Sequence, residues 1–199
     1  MIVPGGKTEV VWGDGNWIFL DVGFSNQQRT CGLVFGDENP SVLSFGEARE
    51  QVVERIRICK GSANLVVEAP LSVCFDIHGN PKGRKIERCN AQTRYWYVGA
   101  GCTVMTAALY LIRTVYDAKL KADLRLFEGF VSFKQRGNKS QHVQDVEMLR
   151  RIVKRAEHSQ DLIYSAAELK INEGDVLQSA FLVAGLDCGV PAVITAAKN

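Results

Sequence analysis

Residues 17–45 read WIFLDVGFSNQQRTCGLVFGDENPSVLSF, and this stretch decides the fold. Three apolar runs, 17–24, 30–36 and 41–45, are separated by clusters of Ser, Asn, Gln, Asp and Gly. Short apolar runs bounded by turn residues predict strands, and three in succession predict antiparallel hairpins. Residues 46–60 then change period. Val52, Val53, Ile56 and Cys59 recur at helical spacing against a face of Arg and Glu, and Gly61 ends the predicted helix. Residues 64–69 (NLVVEA) predict a buried strand stopped by Pro70.

Residues 71–101 lose periodicity and are too long for an ordinary connection, so they are expected to form an irregular insertion with a functional role. Beyond it the pattern predicts a helix over 102–120, a strand over 123–128 and a basic loop over 134–141. A helix over 142–157, a shorter one near 160–169, a helix from Asp175 to Leu186 and a last strand over 192–196 complete the expectation. Strands that begin as hairpins and then alternate with helices predict an α/β protein with a mixed sheet and helices on both faces. There is no GxGxxG after the first strand and no GxxxxGK[ST], which argues against a Rossmann or P-loop nucleotide site. The 199 residues fit one domain, 1–199.

Composition narrows the class less than arrangement does. Lys+Arg (24) and Asp+Glu (22) nearly cancel to a net charge of +2. The six cysteines have no CxxC or CxH spacing, so neither a zinc site nor a disulfide framework is expected. With no basic-then-apolar leader pattern and no apolar run of about 20 residues, a cytoplasmic protein that does not span a membrane is expected.

Four acids stand where strands or helices end. Asp21 interrupts a run that otherwise reads as core, Glu68 closes LVVE, Glu128 follows LRLF, and Asp175 opens the expected last helix. Each has an ordinary structural explanation, a turn cap for Asp21 and a helix N-cap for Asp175. Converging together, they would repel one another unless divalent ions neutralised them. Oxygen ligands point to magnesium or manganese, and a pair of such ions suits phosphodiester cleavage.

The segments FLDVGFSNQQRTCGLVFG, VVEAPLS, LFEGFVSF and DVLQSAFLVAG, with Lys82-Gly83-Arg84 after the second, resemble the ribonuclease H-like superfamily. Within it the resemblance is closest to an uncharacterised family of predicted nucleases. It spans most of the chain and implies a mixed sheet of three antiparallel hairpin strands followed by parallel strands. It also implies a metal site of Asp21, Glu68 and Asp175, with Glu128 beside it, holding two Mg2+ or Mn2+ ions. Related resolvase-type helices often carry a second acid one turn after the first; here that position is Gln178.

Residues 82–97 gather Lys82, Arg84, Lys85, Arg88 and Arg94, then Tyr95, Trp96 and Tyr97. Basic groups for phosphates and rings for bases are the parts of a nucleic-acid groove. Arg84, Arg88, Arg94, Trp96 and Lys134 are the expected substrate contacts, with Arg136 and Lys139 in a second basic cluster. His78 and His142 are candidates to shuttle a proton, although a structural place suffices for each. The expected function is a metal-dependent nuclease acting on DNA or RNA. The rivals are a non-catalytic module binding nucleic acid or protein and, more remotely, a dimeric nucleotide-dependent phosphotransferase suggested by DVGFSNQQ. A homodimer is compatible with the sequence.

Overall fold

The computed structural model describes residues 1–23, 28–133 and 141–196. Its strands are β1 (Ile2–Pro4), β2 (Asn16–Asp21), β3 (Cys31–Phe35), β4 (Ser41–Leu43), β5 (Ala63–Glu68), β6 (Ser72–Phe75), β7 (Pro81–Lys82), β8 (Arg88–Cys89), β9 (Gln92–Thr93), β10 (Leu124–Phe130), β11 (Ile163–Tyr164), β12 (Val176–Ser179) and β13 (Val193–Thr195). The helices are α1 (Phe45–Ile58), α2 (Ala100–Asp117) and α3 (His142–Lys154), joined by short 3-10 turns.

The main sheet runs β11-β13-β10-β5-β2-β3-β4, with β1 alongside the first half of β10. β2, β3 and β4 are the antiparallel hairpins expected from residues 17–45. β5, β10 and β13 continue parallel to β2, and β11 closes the sheet antiparallel, so the sheet is mixed. α1 starts where the sequence changes period because Ser44 caps it. The Ser44 hydroxyl accepts from the Glu47 amide at 3.2 Å, and the Glu47 carboxylate accepts from the Ser44 amide at 2.8 Å.

Alternation along the strands builds a core on each face of the sheet, and a smaller cluster of Ile86, Phe130, Leu169 and Val193 lies beside them. Ile18 and Leu20 of β2, Leu65 and Val67 of β5, and Leu124 and Leu126 of β10 pack with α1 and α2. Trp17 and Phe19, Val66 and Phe127 face the other way, against Val146, Leu149 and Val153 of α3. Successive side chains point to opposite faces. A residue's parity therefore fixes the face of the sheet on which it lies.

Three expectations are corrected. The helix expected from Asp175 is instead the strand β12 followed by a 3-10 turn over Ala180–Ala184. Its apolar residues fit either period, and pairing with β6 decides for a strand at 176–179. The segment near 160–169 is two 3-10 turns around β11 rather than a helix. The insertion at 71–101 contains short regular pieces. β6 and β7 form a second sheet with β12, in the order β12-β6-β7, and β8 and β9 form a hairpin. No helix among the described residues is long and apolar enough to cross a membrane.

Candidate metal centre

Asp21 and Glu68 are directly opposite in the parallel pairing of β2 with β5. Both have the parity of Phe19 and Val66, so both face α3. The row continues to Gly32 on β3 and Gly129 on β10, which are the register partners of Asp21 and Glu68 on their outer sides. Two acids flanked by two glycines thus cross the sheet in one line.

The glycines bring α3 down onto the acids. A Cβ on Gly32 would lie 2.3 Å from the His142 carbonyl oxygen, and one on Gly129 would lie 2.7 Å from Leu149 Cδ1. Gly23, just past β2, lies against the His142 ring, where a Cβ would be 2.6 Å from Nε2. The first turn of α3 therefore rests on Asp21. His142 Nδ1 is 2.8 Å from Asp21 Oδ2. Asp145, one turn further on, joins them, and one ligand atom from each of the three lies within 4.8 Å of the others. Asp21 and Asp145 are buried; His142 is half-buried. Glu68 sits one strand away, accepting from the Val131 amide at 3.4 Å and from Ser132 Oγ at 3.3 Å.

Burial raises the Asp21 pKa above its usual value; the His142 hydrogen bond and charge oppose this, while Asp145 adds to the rise. A carboxylate held this way gains most from a cation that can be shared with its acidic neighbour. Asp21, His142 and Asp145 form a donor set that could hold a metal ion.

The other predicted site residues lie elsewhere. Glu128 has the opposite parity: it is opposite Val67, whose side chain faces α1 and α2. There it is fully buried with Arg84, whose Nη1 donates to Glu128 Oε2 at 2.7 Å and to Ser72 Oγ at 2.9 Å. The same carboxylate oxygen accepts from the Leu71 amide at 2.8 Å. Arg84 also pairs with Glu87 through Nη2 at 3.0 Å. Burial works against the Arg84 charge, but Glu128 and Glu87 outweigh it and raise its pKa. Arg84 is thus an internal tie rather than an exposed phosphate contact.

Asp175 stands beyond the last register pair of β12 with β6, Val176 opposite Phe75. About four residues of strand, or roughly 13 Å, separate it from the Ser179–Ser72 end of that ladder. Its carboxylate accepts from Lys82 Nζ at 2.6 Å and from the Ile171 and Asn172 amides at 3.0 and 2.8 Å. The Lys82 bond and these amides hold its pKa below the usual value. Gln178, expected one helical turn on, is an exposed residue of β12.

Trp96 is buried, donating through Nε1 to the Lys82 carbonyl at 2.9 Å and packing edge-on against Phe75. Arg88 and Arg94 are exposed. Lys134, Arg136 and Lys139, together with Ser25 and Asn26 of the first hairpin, lie outside the described residues.

Asp145 is the residue that the sequence reading did not single out, yet its position carried a signal. It precedes Leu149 by four residues and Ile152 by seven, so it falls on the apolar stripe of an amphipathic helix. An acid on that stripe needs a reason. His142 and Asp145 at i, i+3 share a helix face. Gly32 and Gly129 inside strands were the second signal, marking close approach of another backbone or side chain. Neither a protein-family model nor a curated protein matches the chain.

Proposed function

We propose that the protein is a metal-dependent nuclease whose ion is held by Asp21, His142 and Asp145, with Glu68 beside them. The observation that carries this is the meeting of the strand acid Asp21 with His142 and Asp145 from one turn of α3. Two further features support it. The order β4-β3-β2-β5-β10, hairpins first and parallel strands after, has the form that the ribonuclease H-like resemblance implies. His142 and Asp145 stand one turn apart on α3, so α3 rather than the segment after Asp175 would carry the helix-borne ligands.

The donor chemistry fits a divalent cation. Two buried carboxylates suit magnesium and manganese, and the imidazole among them shifts the preference toward manganese. Such an ion supplies Lewis acidity at a phosphoryl oxygen and makes a bound water more acidic. The chain's own residues do the rest. Asp21 and Glu68 project from rigid neighbouring strands, which fixes their separation. His142 is oriented by the contact of its Nδ1 with Asp21 Oδ2 at 2.8 Å, which fixes the ring as a ligand. Ser132 and the Val131 amide orient Glu68. Arg88 and Arg94, exposed on the inserted segment, would supply cationic contacts to substrate phosphates.

The test is cleavage of labelled DNA and RNA in manganese or magnesium by the wild type and by Asp21→Asn and Asp145→Asn. Loss of several kcal/mol of transition-state stabilisation corresponds to a fall of about a thousandfold or more. Each variant should retain the wild-type circular dichroism spectrum. Cleavage unchanged in both folded variants contradicts the proposal.

A further inference from the structure

The inserted segment carries an aromatic and cationic surface that the metal centre does not use. Trp96 is its anchor, buried with its N–H on the Lys82 carbonyl. Tyr95 and Tyr97, on either side of it in sequence, stack on each other with ring centres 5.3 Å apart and planes 12° from parallel. Trp96 meets Tyr97 edge-on at 5.1 Å, which holds the outer ring in place. Tyr97 remains 36% exposed. Gly83 makes the arrangement possible, since a Cβ there would lie 2.4 Å from Tyr95 Cε1. A prepared ring with an open side is the result.

The exposed charges that flank the rings in sequence are positive, while the nearby Glu87 is buried against Arg84. Arg94 directly precedes Tyr95 and is exposed, and Arg88 lies across the β8–β9 hairpin, opposite Thr93. The surface also continues toward the metal centre. The Arg94 guanidinium lies 6.0 Å from the centre of the Phe133 ring, and the neighbouring Ser132 donates to Glu68. Rings held for stacking beside cations select a nucleotide whose base face is open. Bases within a continuous duplex are already stacked on both sides and offer no such face.

We infer that Tyr95 and Tyr97, flanked by Arg88 and Arg94, form a stacking platform that makes unpaired nucleotides the substrate class of the neighbouring site. The choice of nucleic acid as occupant rests on the nuclease proposal. Tyr97 supplies the exposed ring, Arg94 and Arg88 supply phosphate contacts, and Trp96 holds the segment in position without touching substrate. The Tyr97 hydroxyl has no part in stacking, so phenylalanine should serve equally well.

The experiment is fluorescence anisotropy of full-length protein in EDTA, where no metal-dependent cleavage occurs. The probes are a mixed-sequence single strand and its blunt duplex, each as DNA and as RNA. Both single strands should bind about tenfold more tightly than their duplexes. Tyr97→Ala should weaken single-strand binding by about tenfold and leave duplex binding unchanged, and Tyr97→Phe should restore it. A 2-aminopurine base in the single strand should change its emission on binding the wild type and Tyr97→Phe but not Tyr97→Ala. Equal or tighter duplex binding overturns the inference, as does undiminished single-strand binding by Tyr97→Ala. Cleavage that depends on Asp21 without single-strand preference rejects the platform alone. Single-strand preference without metal-dependent cleavage rejects the nuclease and leaves the platform standing.

Discussion

Two acidic clusters flank the same sheet and are built to opposite ends. On the α3 face, Asp21 meets Asp145 and the half-buried His142. On the other face, Glu128 and Glu87 close on Arg84, and all three are fully buried. The second cluster is closed by a cation of its own: a planar guanidinium divides its donors between two carboxylates and a serine hydroxyl, and only Glu128 Oε1 is left buried without a hydrogen-bond partner among the described residues. The first joins two acids to one titratable ring, a set that a divalent cation would complete. The difference separates a structural tie from a candidate site more sharply than burial does, because both clusters are buried.

Breaking the tie should have the larger effect on stability. Arg84→Met leaves two buried carboxylates without their cation and should cost about 3–5 kcal/mol, read as a lowered denaturant midpoint. Because Arg84 joins the inserted segment to β10, the loss should persist in saturating manganese. A variant as stable as the wild type would make the cluster a passive contact and weaken the contrast.

Closing the space above the candidate metal centre should have an intermediate effect. Gly32→Ala pushes a methyl group into the His142 backbone, where a Cβ would lie 2.3 Å from the carbonyl oxygen. Overpacking of this kind costs about 1–3 kcal/mol. Here it should also lift His142 away from Asp21, so manganese affinity falls together with stability. Loss of stability with unchanged manganese affinity would separate the α3 contact from the ion site.

The smallest effects distinguish the two acids that the sequence treats alike. Asp175 has a pKa lowered by Lys82, so its ionised form stabilises the fold above the ordinary value of 3.8 and loses that contribution as pH falls below it. Asp175→Asn should therefore be less stable than the wild type at neutral pH, the gap closing on acidification. Asp21 has a raised pKa, so the folded state binds its proton more readily than the unfolded chain does. Its contribution to stability accordingly falls as pH rises through 3.8 toward the raised value. Without metal, Asp21→Asn should be no less stable than the wild type at neutral pH. Melting temperatures across pH in EDTA check both signs.

Much of the sheet was legible because hairpins and amphipathic helices announce themselves locally. The runs at 17–24, 30–36 and 41–45 gave β2, β3 and β4, and Val52, Val53 and Ile56 marked the buried side of α1. Glu68 was legible as an acid closing an apolar strand, and Asp21 as an acid interrupting the run 17–24, which the structure ends at Asp21. Glu128 looked equivalent but stands one residue out of step with its neighbour across the ladder: Gly129, not Glu128, is opposite Glu68. A single residue of register reverses the face. Asp175 misled because residues 176–184 fit a helix locally, and only pairing with β6, about a hundred residues earlier in the chain, makes 176–179 a strand. Non-local pairing overrides local pattern in this way. Arg84 looked like a phosphate contact because its charge is visible in sequence and its two buried partners are not.

Whether Asp21 and Asp145 hold an ion is decided by manganese binding, measured as the rise in melting temperature across an ion titration of the wild type, Asp21→Asn, Asp145→Asn and Asp175→Asn. A ligand at a hundred times its dissociation constant stabilises by about 2.7 kcal/mol. That rise is expected in the wild type and in Asp175→Asn, and its loss in Asp21→Asn and Asp145→Asn. A rise that survives loss of Asp21 and Asp145, or vanishes with Asp175, would contradict that assignment.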